Sequence, residues 1–220
     1  MKKLLGLTLA LALIFGTANA VTVGLNAGNV GIGYGSWSVS GTDIYIDEHW
    51  TTPGIGMLEL NELEESVDYT VHKYITNETD QDWNRFAIEL LDPSGGTDDQ
   101  YDIDTEPWVP AGWSHSNEND GLSFAQGSGI PRTSQHFASR VDDELGGRDY
   151  MDFFDGLVAA GGTDTITFGL RDYDVSNNEP FIIAQRPNQV TGGPEVPEPA
   201  TMLLFGLGLA GVALRNRFKK

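Results

Sequence analysis

The sequence has no cysteine, which excludes a disulfide framework, a thiolate zinc site and a cysteine nucleophile. Positive charge is nearly as scarce, with 13 Lys plus Arg against 32 Asp plus Glu and a formal net charge of -19. Six of those 13 basic residues, Lys2, Lys3, Arg215, Arg217, Lys219 and Lys220, lie at the two ends, so the stretch between keeps seven against all 32 acidic residues. Nucleic-acid binding needs Lys and Arg to replace phosphate counterions, so that class of partner is excluded. The four histidines, His49, His72, His115 and His136, are scattered, and no His-Glu-x-x-His pair is present to hold a catalytic zinc. No Gly-x-Ser-x-Gly elbow occurs either; the nearest segment, Gly121-Leu122-Ser123-Phe124-Ala125, ends in the wrong residue. Long helical periodicity is also missing. Only residues 134–144, with Phe137 and Val141 four apart, invite a helix, and Gly146-Gly147 ends that run quickly.

What is present begins with two apolar ends. Lys2 and Lys3 precede an apolar run from Leu4 to Phe15, and Ala18-Asn19-Ala20 fits the small-residue rule for signal cleavage. Residues 1–20 therefore read as a removable secretory signal, with signal peptidase as processing partner and Val21 as the mature N-terminus. A retained membrane helix would need a longer run, since twelve residues at about 1.5 Å each reach only about 18 Å. At the other end, residues 200–214 carry no charge and are followed at once by a basic tail, residues 215–220. Fifteen residues reach about 22 Å, short of a bilayer core of about 30 Å, so this is a single marginal transmembrane helix that snorkels its flanking Arg and Lys. The positive-inside rule leaves the basic tail cytoplasmic and the body outside. Within this run, Gly206, Gly208 and Gly211 match the spacing of a dinucleotide fingerprint, but no strand precedes them and no acidic residue follows. Close helix packing in lipid explains those glycines better.

Residues 192–199 form a Pro/Gly-rich linker that ends in Val196-Pro197-Glu198-Pro199. Two prolines around one carboxylate remove backbone donors and keep the segment extended, a form that a membrane-embedded peptidase can read. The order of Pro-Glu-Pro, short apolar helix and basic end, with Arg215 and Arg217, resembles the tails of PEP-CTERM proteins of Gram-negative, exopolysaccharide-producing bacteria. The resemblance implies processing by the protease-transpeptidase exosortase, transient anchoring in the inner membrane, and delivery to the cell surface or extracellular matrix. Two looser likenesses to PEP-CTERM ectodomains lie in the body: Tyr74 to Thr79 followed by Asp82 to Leu90, and Phe154-Asp155-Gly156 through Gly161-Gly162-Thr163 to Phe168. They name no activity.

The body, residues 21–191, is long enough for one core, since a chain of about 150 residues or more buries about 70 % of its unfolded surface. Period-two alternation dominates it. Ile44 and Ile46 oppose Tyr45 and Asp47; Val67, Tyr69 and Val71 alternate with polar residues; Phe86, Ile88 and Leu90 do so again, as do Ile166 and Phe168. Turn-rich breaks at 76–80 and 159–163 separate these runs. The expectation is an all-β fold, an antiparallel β-sandwich of jelly-roll or immunoglobulin-like type, with Trp83 in its core.

Candidate chemistry in the body is sparse. Asp98, Asp99, Asp102, Asp104 and Glu106 crowd one loop, where carboxylates two apart suit Ca²⁺, although Pro107 and Trp113 stand where an EF-hand needs Gly and Glu. The competing reading is a solvated acidic surface that keeps an exported protein soluble. Calcium is thus the one cofactor for which the sequence offers a place. Trp108 and Trp113, five apart in a stiff Pro-rich segment, are candidates for stacking on sugar rings, or for plugging the end of a sandwich. Asn77-Glu78-Thr79 is a formal glycosylation sequon, but a turn role for Asn77 explains it better. The leading functional expectation is a non-enzymatic structural or interaction protein of the extracellular polysaccharide layer. A carbohydrate- or calcium-dependent binding module is the alternative, and a glycoside hydrolase-like enzyme stands third, because no two carboxylates can be paired across a cleft from sequence alone.

Overall fold

A computed structural model of the chain describes residues 21–93, 107–117, 120–144, 147–173 and 180–188. Among these every regular element is a strand, and the strands form two sheets. The first sheet holds β1 (Thr22–Leu25), β4 (Gly56–Asn61), β13 (Phe181–Pro187), β6 (Phe86–Pro93), β11 (Tyr150–Gly156) and β10 (Phe137–Asp143) in that order, with β7 (Trp113–His115) also paired to β6. The second runs β2 (Ile32–Ser40), β3 (Asp43–Trp50), β5 (Tyr69–Asn77), β12 (Thr163–Asp172) and β8 (Leu122–Ser123), with β9 (Thr133–Ser134) on β12. The all-β expectation holds, with one departure: β3 and β5 pair in parallel, Ile44 opposite Val71 and Trp50 opposite Asn77. Parallel neighbours need a crossover, and β4 supplies it by leaving for the first sheet between them.

Alternation explains which side chains meet between the sheets. In β3, Ile44, Ile46, Glu48 and Trp50 are buried while Asp43, Tyr45, Asp47 and His49 are not; in β5, the buried set is Tyr69, Val71, Lys73, Ile75 and Asn77. From the facing sheet come Leu58, Leu60, Ile88, Leu90 and Ile183. Each such apolar side chain contributes about 1.5–3 kcal/mol by leaving water. Trp83 lies in this core, as expected, edge-on to Trp50 with ring centroids 5.4 Å apart and beside Phe86 at 5.7 Å. Trp50 fits because Gly56 faces it: a Cβ added there would lie 2.4 Å from the indole.

Residues 134–144 depart from the helical expectation. They form the end of β9 and all of β10, and β10 pairs with β11 from Phe137 opposite Gly156 to Asp143 opposite Tyr150. Phe137 is buried, whereas Val141 is 41 % exposed on this edge strand, so the spacing of four reflects no helical face.

The core also contains a polar centre. Glu48 accepts hydrogen bonds from Lys73 Nζ, from Gln185 Nε2 at 2.8 Å and from Trp50 Nε1 at 3.1 Å, and Lys73 and Gln185 share the same oxygen, Oε1. Burial pushes the Lys73 amine below its ordinary value, opposed by the Glu48 carboxylate. No helix among the described residues is long and apolar enough to cross a membrane.

Candidate functional site

The two sheets differ in what covers their outer faces. On the first sheet, Met57, Leu91, Ile182 and Ala184 point away from the main core and are roofed by Ile55, Trp108, Val109 and Trp113. Here Glu89 is fully buried: Arg148 Nε and Nη2 approach its two oxygens at 2.6 and 3.0 Å, Arg186 binds Oε2, and His115 Nδ1 lies 2.8 Å from Oε1. Burial alone would raise this carboxyl, but His115 and the two guanidinium groups more than offset it and hold it below its ordinary range. Glu89 is therefore a locked carboxylate, unsuited to donating a proton. Arg186 also stacks on Trp108, its guanidinium carbon 4.0 Å from the ring centroid, and His115 meets the same indole edge-on at 5.6 Å. Of the tryptophan pair expected to contact sugars, Trp108 thus has one face taken by Arg186, and both indoles are half-buried against the first sheet.

Among the described residues, no layer covers the outer face of the second sheet. Register sets its side chains in rows: Ser36, Asp47, Tyr74 and Thr165 stand abreast, followed by Ser38, Tyr45, His72 and Thr167. Tyr45 is 37 % exposed and Tyr74 48 %. Beside them lies an open cleft of about 160 Å³, lined by Ser36, Trp37, Ser38, Tyr45, Ile46, Asp47 and Tyr74. Trp37 pairs with Ile46 and so alternates to the other side of β2, yet at this edge it remains 40 % exposed and lines the same cleft.

The rings beside the cleft are pinned. Tyr45 stacks on His72 at 4.9 Å, and His72 Nε2 lies 2.9 Å from Asp43 Oδ1. One row beyond Asp47, Tyr34 stacks on His49 at 4.2 Å, and both reach Glu78 Oε1, at 2.7 Å from the tyrosine hydroxyl and 2.8 Å from the imidazole Nδ1. The Tyr34 hydroxyl and then His49 hold the Glu78 carboxyl below its ordinary range, while the same bond raises the Tyr34 hydroxyl. The face thus presents fixed aromatic rings interleaved with hydroxyl and carboxylate groups.

A third group of polar residues lies beside the buried Glu89. Asp149 is 1 % exposed, and burial pushes its carboxyl up to about 8, assisted by Asp120, Glu144 and Asp143 and opposed by the Ser116 hydroxyl, which donates to Oδ2 at 2.6 Å. Among the described residues, no three His, Asp or Glu side chains gather in a way that could hold a metal ion.

Several expected positions lie outside the described residues: the cleavage residues Ala18 and Ala20, the acidic Asp98, Asp99, Asp102, Asp104 and Glu106, and Val196, Pro197, Glu198, Pro199, Arg215 and Arg217 of the tail. Val21 is the first described residue and packs against the main core. The sequon asparagine, Asn77, is buried and serves the turn: its Nδ2 donates to the carbonyls of Gln81 and Ala159 at 2.8 and 3.2 Å, and its Oδ1 accepts from Thr79 N at 3.1 Å.

No curated protein and no solved structure matches the chain. Residues 195–217 match the PEP-CTERM protein-sorting motif. The chain accordingly carries a PEP-CTERM sorting signal at its C-terminal end, the mark of an exported bacterial protein destined for the cell surface and processed by exosortase.

Proposed function

We propose that the exported body is a non-enzymatic interaction protein of the extracellular polysaccharide layer, and that it binds neutral glycan chains on the outer face of the second sheet. The observation that carries this reading is the exposed pair Tyr45 and Tyr74 on either side of Asp47 in an open cleft, on a face that nothing described covers. Sugar rings offer CH-rich faces that stack on aromatic rings and hydroxyl edges that hydrogen-bond to carboxylate and hydroxyl groups. Asp47, Ser36 and Ser38 supply those groups within the same cleft. Charge narrows the ligand class, because a chain with net charge -19 repels acidic polymers. A neutral chain meets no such barrier.

In this reading the chain crosses the inner membrane of a Gram-negative cell, is released from its tail by exosortase, and is retained outside by many weak sugar contacts. Affinity electrophoresis tests the reading. The protein should migrate more slowly through gels containing a neutral polysaccharide such as hydroxyethylcellulose or dextran than through plain gels, and alginate should cause no such delay. A Tyr45→Ala, Tyr74→Ala variant should lose the delay. Equal mobility in all gels would sink the reading.

A further inference from the structure

We propose that Lys73 and Gln185 condense into an intramolecular isopeptide bond across the sandwich, with Glu48 as the proton-transfer group. The geometry is that of the polar centre in the core. Lys73 Nζ and Gln185 Nε2 both donate to one oxygen, Glu48 Oε1, so the amine and the carboxamide lie side by side on a single acceptor. All three residues are shielded from water: Lys73 and Gln185 are fully buried and Glu48 is 1 % exposed. Gln185 Oε1 is buried without a hydrogen-bond partner. A noncovalent centre of this kind is costly, because two charges have left water and one carbonyl is unsatisfied. Condensation removes both charges.

The chemistry balances without any further reactant. Glu48 Oε1 takes a proton from Lys73 Nζ, and the free amine attacks Cδ of Gln185, forming the Nζ–Cδ bond. Glu48 then returns the proton to Nε2, on the edge where that nitrogen already contacts it. The Cδ–Nε2 bond breaks, ammonia leaves, and the surplus proton on Nζ passes back to Glu48. Nothing is oxidised or reduced. Burial favours the neutral amine that the first step requires, since it pushes the Lys73 amine below its ordinary value.

Topology gives the bond a purpose. Lys73 lies on β5 of the second sheet and Gln185 on β13 of the first, so the bond staples the two sheets together. Strand β13 is also the last described strand before the sorting motif at 195–217. A pull on the C-terminal end would meet a covalent tie to the opposite sheet rather than a ladder of hydrogen bonds. The proposal is independent of glycan binding.

Mass spectrometry of the full chain in denaturant is the test. The intact mass, after allowance for any removed signal or tail, should fall short of the sequence mass by one ammonia. Tryptic digestion should leave the Lys73 bond uncut and yield one species joining the Lys73 segment to the peptide containing Gln185. Lys73→Arg and Glu48→Gln should each show the full mass of their own sequences. The wild-type result decides the matter even if neither variant folds. Full sequence mass in a folded protein, loss of water linking Lys73 to Glu48, or loss of ammonia mapped to another residue would each overturn the proposal.

Discussion

The substitution Asp149→Asn should change how the stability of the body depends on pH. Burial pushes the Asp149 carboxyl from an ordinary 3.8 to about 8, with Asp120, Glu144 and Asp143 adding to the rise and the Ser116 hydroxyl opposing it. Between those two values the folded state binds a proton that the unfolded state has released, so stability falls as pH rises. The contribution is fully present below about pH 4 and is lost as pH climbs to about 8. At about 1.4 kcal/mol for each unit of pH, the whole span is about 6 kcal/mol. The introduced carboxamide would still accept the Ser116 hydrogen bond, would present an amide donor to the neighbouring carboxylates, and cannot ionise. Urea denaturation of both proteins from pH 5 to pH 9 at constant ionic strength measures the effect. General repulsion among the many carboxylates is common to both chains and cancels in the difference. The variant should gain on the wild type steadily through the window and exceed it by several kcal/mol at pH 9. Parallel curves would refute the argument.

Two further substitutions test the packing. Gly56→Ala places a Cβ 2.4 Å from the Trp50 indole, and overpacking of this kind should cost about 1–3 kcal/mol in chemical denaturation, with a shift in tryptophan emission. Glu89→Gln leaves Arg148 and Arg186 without their charge partner beneath Trp108, and should cost about 3–5 kcal/mol; an unchanged melting temperature would show that the centre holds nothing together.

Much of the fold is legible in the alternation of β3, β5 and β12, because each of these strands buries mainly one side. In β6, Phe86, Ile88 and Leu90 keep the same period although both faces of the strand are buried. Edge strands are harder. In β10 only Phe137 is strongly buried, so an accidental spacing of four imitates a helix. In β2 eight of nine residues are exposed, and Gly and Ser leave almost no period to read. The open cleft is half visible in sequence: Tyr45 and Asp47 alternate outward, but Tyr74 joins them only through the parallel register of β3 and β5, which no local pattern encodes. The other half of the difficulty lies in charge. Lys73 counts in sequence as one of few solvated cations, yet its alternation with Val71 and Ile75 places it inside. His115 reads in sequence as one of four scattered histidines, whereas the structure turns it onto buried Glu89. Trp50, the second indole of the aromatic cluster, is marked in sequence only by its in-phase spacing after Ile44, Ile46 and Glu48.

Calorimetric titration with a soluble neutral glucan oligosaccharide tests the central claim most directly, because it compares the tyrosine pair of the cleft with Trp108 on the first sheet. An aromatic contact is worth about 0.5–1.5 kcal/mol, so removing Tyr45 and Tyr74 together should cost about 1–3 kcal/mol, roughly fivefold to 150-fold in affinity. Trp108→Ala, in the group already covered by Arg186 and His115, should leave binding unchanged once circular dichroism confirms its fold. Loss of heat only in the Tyr45→Ala, Tyr74→Ala protein is the result expected; binding that survives both tyrosine substitutions and vanishes with Trp108→Ala would contradict the account.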